Sequence, residues 1–360
     1  MGLLEKVLQG KNFDPRWISW MRGCVSNPKF SIFISGRPRG RIKTTRGIRQ
    51  GDPFSPFLFL LVSEVLSGLI ARLHEKGKYE GFLVGKDKVH ISIIQFVGDT
   101  LLFCKYGDEM IENLRTIEIF EWCSSQKVNW EKSAICGINI EENKMLSVAA
   151  QLNCKVKHLP LMYLGLPLGG YPKNVSFWQP VIDKLQGKLD KWRRFNLSRG
   201  GKATLCKSVH SNLPTYYLSL FLLPEKVLGI MERTMKNFFW EGHKGGKINH
   251  LVKWELVTKA QEDGGLGLGG LRARNLAFLA KWGWRLLHNE NTLWSKVVKS
   301  IHRRDMFDWH TSGKVSLNLR SSWISISRSW LKVEALAVYK LGNGSRIAFG
   351  SDPWSDNTPL

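Results

Sequence analysis

The sequence predicts an α+β fold, with antiparallel strands and packed helices up to about residue 170 and a mostly helical region after it. Three observations carry this. Ile91, Ile93 and Ile94 with Phe96 and Val97 form one apolar run, and Leu101 to Phe103 form another. Two such runs split by Gly98-Asp99 read as a β-hairpin whose two-residue turn presents a carboxylate. Leu58, Leu61, Val62, Val65, Leu66 and Leu69 recur at helical spacing, which predicts an amphipathic helix just before that hairpin. Past Tyr171 the chain turns basic, with Lys173, Lys184, Lys188, Lys191, Arg193, Arg194, Arg199, Lys202 and Lys207 answered locally by Asp183 and Asp190. A domain boundary is expected there.

Taken in order, residues 1–30 read as two helical segments, one carrying Leu3, Leu4, Val7 and Leu8, the other Trp17, Ile18, Trp20 and Met21. Residues 30–34 alternate, and the turn formers of Ser35-Gly36-Arg37-Pro38-Arg39-Gly40 predict a hairpin. Ser55-Pro56 is a helix start, Ser as cap and Pro at the first helical position, and Gly77 can close that helix. Asp108 is placed to cap a helix carrying Ile111, Leu114 and Ile117. Residues 128–140 return to strand-like composition, and residues 163–169 form a turn-rich apolar segment. A helix over 180–192 puts Val181, Ile182, Leu185, Leu189 and Trp192 on one face and most of its lysines on the other. Such lysines are more often a solvated face than a nucleic-acid wall, but their density favours the wall. Asn275 can cap a further helix containing Leu276, Phe278, Leu279, Trp282 and Leu286.

The 360 residues can hold two or three domains of about 150 residues each. Lys and Arg number 53 against 30 Asp and Glu, a net charge of +23, so a polyanionic partner is expected. Nucleic acid comes ahead of a membrane surface, because the charge is spread along the chain and gathers beside no lipid-anchoring segment. Six cysteines lie far apart, with no C-x-x-C pair, as in an intracellular protein with reduced thiols. The N-terminus has no signal-peptide core. The apolar stretch over 54–73 is interrupted by Ser63, Glu64, Ser67 and Arg72, which predicts a core helix of a soluble protein.

Two motif-like strings fail on context. Gly265, Gly267 and Gly270 have dinucleotide-fingerprint spacing, but residues 258–263 before them are no buried strand. Arg199-Gly200-Gly201-Lys202-Ala203 lacks the leading Gly of a phosphate loop and the hydroxyl after the Lys. Gly98-Asp99 alone would be an ordinary hairpin turn, and Arg49-Gln50-Gly51-Asp52-Pro53 alone a surface turn. In this order and joined by a helix, they stop being independent.

Arg46-Gly47-Ile48-Arg49-Gln50-Gly51-Asp52-Pro53-Phe54-Ser55-Pro56, Gln95-Phe96-Val97-Gly98-Asp99-Thr100-Leu101-Leu102-Phe103, Lys127-Val128-Asn129-Trp130-Glu131-Lys132-Ser133 and Tyr163-Leu164-Gly165-Leu166-Pro167-Leu168-Gly169 together resemble the reverse transcriptase of non-long-terminal-repeat, LINE-type retrotransposons, most of all its plant members. Likeness continues through Leu197-Ser198-Arg199-Gly200-Gly201-Lys202, Phe238-Phe239-Trp240-Glu241-Gly242, Gly264-Gly265-Leu266-Gly267-Leu268 and Lys281-Trp282-Gly283-Trp284-Arg285. The resemblance implies an RNA-directed DNA polymerase acting on an RNA template and a DNA primer. Its palm would occupy residues 1–170, a basic helical thumb or connection 171–300, and an incomplete C-terminal segment 301–360. It makes Arg46, Arg49, Gln50 and Gly51 nucleotide-binding residues, Tyr163, Leu164 and Gly165 the primer grip, and Asp99 a catalytic metal ligand. Lys132 becomes proton donor to pyrophosphate, and Lys184, Lys188, Lys191, Arg193, Arg194, Arg199 and Lys202 face the nucleic-acid backbone. An exposed lysine is an equal reading for Lys132, since Ser125-Gln126 replaces the family's Gly-Leu ahead of it.

The family's chemistry uses two Mg²⁺ ions about 4 Å apart, held by clustered carboxylates. The resemblance assigns one Asp on an upstream strand, which would fall before Leu3, and two adjacent Asp on the hairpin, the first of which is Gly98 here. With Asp99 remaining, Mg²⁺ binding is expected to be weak or lost and synthesis to fail. The alternative is a non-catalytic nucleic-acid-binding protein using the basic region after residue 173, and a third reading is a chain without a stable fold. An element of this kind would act at nuclear DNA. No endonuclease or ribonuclease H module is recognisable.

Overall fold

Apolar spacing at the N-terminus folds into α1 (Gly2–Gly10) and α2 (Pro15–Val25), the second begun by Pro15 behind Asp14, whose carboxylate accepts from the Arg16 N–H at 2.8 Å. The computed structural model describes residues 2–26, 29–43, 51–124, 126–242, 249–302, 309, 311, 321–334, 336, 340–345 and 347. It divides into two compact units, Met1–Lys157 and His158–Leu360.

In the first unit β1 (Lys29–Ile34) and β2 (Arg37–Lys43) form the expected hairpin. Helix α3 (Ser55–Glu75) follows, then β3 (Phe82–Val84), β4 (Val89–Ile91), β5 (Ile93–Phe96) and β6 (Asp99–Leu102), paired β3 with β4 and β5 with β6, both antiparallel. Next come α4 (Asp108–Asn113), α5 (Thr116–Ser124), β7 (Ala134–Ile135), α6 (Glu142–Gln151) and β8 (Lys155–Val156), β7 and β8 lying parallel. Leu66 and Ile70 of α3 are buried with Tyr79, Leu114, Ile117 and Phe120, against Ile93 and Leu102 of the β5–β6 hairpin. A smaller cluster joins Leu4, Leu8, Ile18 and Leu58.

By length and composition alone, α3 is apolar enough to cross a membrane. Its polar interruptions are engaged within the unit: Glu64 pairs with Lys11 at 2.8 Å, and Ser67 donates to Gln95 at 2.9 Å. Three local expectations are corrected. Ser55 is not the cap of α3; Phe54 holds that position without a side-chain bond, and Asp52 shapes the turn by accepting from the Phe54 N–H at 3.0 Å. Asp108 lies inside α4 behind Gly107, and the single helix expected there breaks at Leu114 into α4 and α5. Residues 128–140 contribute only β7 as strand.

The second unit begins with β9 (Leu161–Tyr163) and β10 (Leu166–Leu168), an antiparallel hairpin. Helices α7 (Val175–Arg193), α8 (Arg199–Asn212), α9 (Thr215–Leu218), α10 (Glu225–Trp240), α11 (Trp254–Thr258), α12 (Leu271–His288), α13 (Leu293–Ile301) and α14 (Trp323–Glu334) follow. The first of these starts five residues before Pro180, which sits inside it, because Phe177 and Trp178 extend the buried face formed by Val181, Ile182, Leu185 and Leu189. Trp178, Leu189, Val227, Met231 and Phe238 anchor the core between α7 and α10. Asn275 is not a cap either. It is buried in α12, its amide oxygen accepting from the Leu223 N–H at 2.9 Å and its NH₂ donating to the carbonyls of Leu218 and Phe221 at 2.7 and 2.9 Å. The glycines at 264–270 serve the backbone: Gly264, Gly267 and Gly269 have φ of 77°, 66° and 76°, and a Cβ on Gly265 would stand 2.3 Å from the Lys259 carbonyl oxygen.

Candidate nucleic-acid site

Pairing in the β5–β6 hairpin runs Ile93↔Leu102, Ile94↔Leu101, Gln95↔Thr100 and Phe96↔Asp99. The two turn residues are therefore Val97 and Gly98, not Gly98 and Asp99. Asp99 is the first residue of β6 and exposed. Positive φ falls on Val97, at 52°, while Gly98 has none and its Cβ direction is open space. The hairpin is tied to α3 through Gln95, whose amide oxygen accepts from Ser67 Oγ at 2.9 Å and whose NH₂ donates to the Ser63 carbonyl at 3.4 Å.

That helix is launched by the Gly51-Asp52-Pro53 turn. Gly51 has φ of 83°, a conformation that L side chains rarely hold. The remaining residues assigned to the nucleotide pocket, Arg46, Arg49 and Gln50, lie outside the described residues. Lys132 is exposed on the Trp130–Lys132 turn, its backbone N–H donating to Asn129 Oδ1 at 3.1 Å.

A divalent ion needs several preplaced oxygens, because Mg²⁺ gives up its waters reluctantly. At the hairpin tip this chain supplies Asp99 beside a glycine, and among the described residues no group of three or more His, Cys, Asp or Glu could hold a metal ion. The donors described do not fit a two-metal centre.

In the second unit Tyr163, Leu164 and Gly165 sit at the β9–β10 turn, with φ of 49° at Leu164 and 78° at Gly165. Positive φ at both central residues is what a tight type I′ hairpin requires. The basic residues divide into two groups. Lys184, Lys188 and Lys191 are exposed at i, i+4 and i+7 along α7, with Arg194 exposed just past its end, so the three lysines form one stripe. The other three brace helices. Arg193 pairs with Asp190 at 2.6 Å and Glu241 at 2.8 Å, Arg199 lies over the Trp240 ring at 5.0 Å, and Lys202 is buried, its Nζ donating to the Glu241 carbonyl at 2.6 Å. Spacing alone did not separate these groups, since what removes Lys202 from the surface is a carbonyl 39 residues away.

A helix followed by a β-hairpin with a carboxylate beside its turn, in an α+β unit, has the layout of a polymerase-like palm. Residues 5–168 match the family model described as reverse transcriptase (RNA-dependent DNA polymerase). The chain is 33% identical over 192 residues to a "putative ribonuclease H protein" of Arabidopsis thaliana, covering 52% of this chain and 30% of that one. It is 22% identical over 311 residues to a "Retrovirus-related Pol polyprotein from type-1 retrotransposable element R2" of Popillia japonica, 81% of this chain and 48% of that one. To a "Transposon TX1 uncharacterized 149 kDa protein" of Xenopus laevis it is 19% identical over 302 residues, 83% and 22%. Residues 5–168, a little under half of the chain, thus form a reverse transcriptase domain, and the chain spans less than half the length of each of these three relatives.

Proposed function

We propose that this chain binds an RNA template and a DNA primer as its family does, but does not catalyse nucleotidyl transfer. The observation that carries the reading is Gly98 beside Asp99. A two-metal mechanism needs carboxylates close enough to share ions, and an exposed Asp99 with a glycine in place of its neighbouring carboxylate leaves Mg²⁺ largely hydrated. Binding rests on a net charge of +23 and on the exposed stripe of Lys184, Lys188 and Lys191, with Arg194 beyond it. A polyanion held by such a stripe releases its condensed counterions, which is the driving force expected here. The β9–β10 turn keeps the primer-grip assignment and Lys132 that of a proton donor without a reaction to serve.

Primer extension by the purified chain on an RNA template, with Mg²⁺ and then Mn²⁺, beside filter binding of the same template-primer, tests both halves. Retention on the filter without extended product is the expected result. Extended product would overturn the loss of catalysis, and absence of retention would overturn the binding.

A further inference from the structure

The β1–β2 hairpin is charged on one sign only. Lys29, Arg37, Arg39, Arg41 and Lys43 fall within its fifteen residues, and no Asp or Glu does. Every residue of β2 is exposed, as is every residue of β1 except Phe30. Among the described residues no other element packs extensively on either strand. Ser35 and Gly36 close the turn with φ of 51° and 75°, and Gly40, at φ of 67°, lies where the register shifts between the Phe30↔Ile42 and Ile32↔Arg39 pairs. A bulge of this kind coils a two-stranded ribbon more strongly.

Directly paired residues share a face, which places Phe33 and Pro38 with Lys29 and Lys43, and Ile32 and Ile34 with Arg39 and Arg37. Phe33 is 73% exposed. Five cations with no anion among them repel one another unless a polyanion lies against them. An exposed aromatic ring amid such cations is the chemistry that receives an unpaired base between phosphate contacts. A double helix keeps its bases stacked and offers that ring nothing to stack on.

From this we infer that the β1–β2 hairpin is a docking ribbon for single-stranded nucleic acid, with Phe33 stacking on a base and Lys29, Arg41 and Lys43, on the same face, holding neighbouring phosphates. The inference rests on the nucleic-acid reading above but assigns the contact to a different element from the α7 stripe.

The test is binding of the full chain to a fluorescently labelled single-stranded RNA of mixed sequence, and to the same sequence as a duplex, across a salt series. Three variants are compared with the unmodified chain: K29Q/R41Q/K43Q, Phe33→Ala and, on the other element, K184Q/K188Q/K191Q. These side chains are exposed, and circular dichroism melts check that each variant stays folded. Removing three phosphate contacts should make the log–log salt slope shallower by about 2 for a single strand, at roughly 0.7 per contact. Phe33→Ala should weaken single-strand binding about tenfold while leaving the slope unchanged. If the unmodified chain binds and the hairpin variants match it, the ribbon is overturned and the nucleic-acid reading stands. A Phe33→Ala variant that binds normally while the K29Q/R41Q/K43Q variant loses duplex and single strand alike overturns base stacking in favour of a ribbon lying in a groove. No binding by the unmodified chain overturns both readings.

Discussion

Val97 holds a conformation that its own side chain opposes. A β-branched residue at φ of 52° is a steric outlier, with a strain of roughly 1–3 kcal/mol, and the residue without a Cβ, Gly98, stands next to it without using its freedom. Replacing Val97 with Gly removes the strain and adds about 0.5–1 kcal/mol of backbone entropy lost on folding. The expected net gain is about 1 kcal/mol, read as a higher urea midpoint at unchanged m-value; an unchanged or lower midpoint would refute the strain. The hairpin itself was legible in the sequence as two apolar runs, but its turn was not. Runs of similar composition fit a turn at 97–98 or at 98–99, because moving a two-residue turn by one position shifts the pairing by two and leaves every side chain on its own face, so the apolar pattern does not choose between them. The bonds of Gln95 to Ser63 and Ser67 on α3, 32 and 28 residues away, fix where β5 lies, and no local rule supplies them. The metal position is affected by that choice, since Asp99 begins a strand and is not a turn residue.

Elements, in contrast, were legible wherever periodicity decided them and misread wherever a polar residue was assigned a local role. Helix α3 and the buried face of α7 follow their apolar spacing, as does the closing Gly77 with φ of 70°. Asn275 and Ser55 resemble caps because both stand just before apolar runs. In fact Asn275 serves α12 from the inside, joining it to the last residue of α9 and to the chain leading on to α10 through three hydrogen bonds reaching 52 to 57 residues back. No local rule contains that distance. Its amide satisfies one N–H and two carbonyls that would otherwise be buried without partners, and each such group costs about 1–3 kcal/mol when orphaned. Asn275→Ala should therefore destabilise the second unit by about 3 kcal/mol, some recovery coming from water entering the space. Denaturant unfolding followed by tryptophan fluorescence measures it. A loss below about 1 kcal/mol would mean that these bonds contribute little.

At the scale of the whole molecule, the two units have separate cores, one around Ile70 and Phe120, the other around Trp178, Leu189 and Phe238. Domains with their own cores unfold as their own cooperative units, and a single transition for the chain is then not expected. The tryptophans allow the two to be told apart. Trp17, Trp20, Trp122 and Trp130 fall in the first unit and the remaining eleven of the fifteen follow residue 157, so fluorescence weights the second unit while far-ultraviolet circular dichroism sees both. Heating should give a dichroism curve with two steps, one of which coincides with the fluorescence step. In the Asn275→Ala chain the fluorescence step should move to lower temperature, together with its matching dichroism step, while the other step stays in place. Coincident single steps by both probes, shifted together by the substitution, would show that the units fold as one. A broad melt without steps would instead support the reading in which the chain has no stable fold, and would remove the basis for assigning either the lysine stripe or the hairpin to a surface.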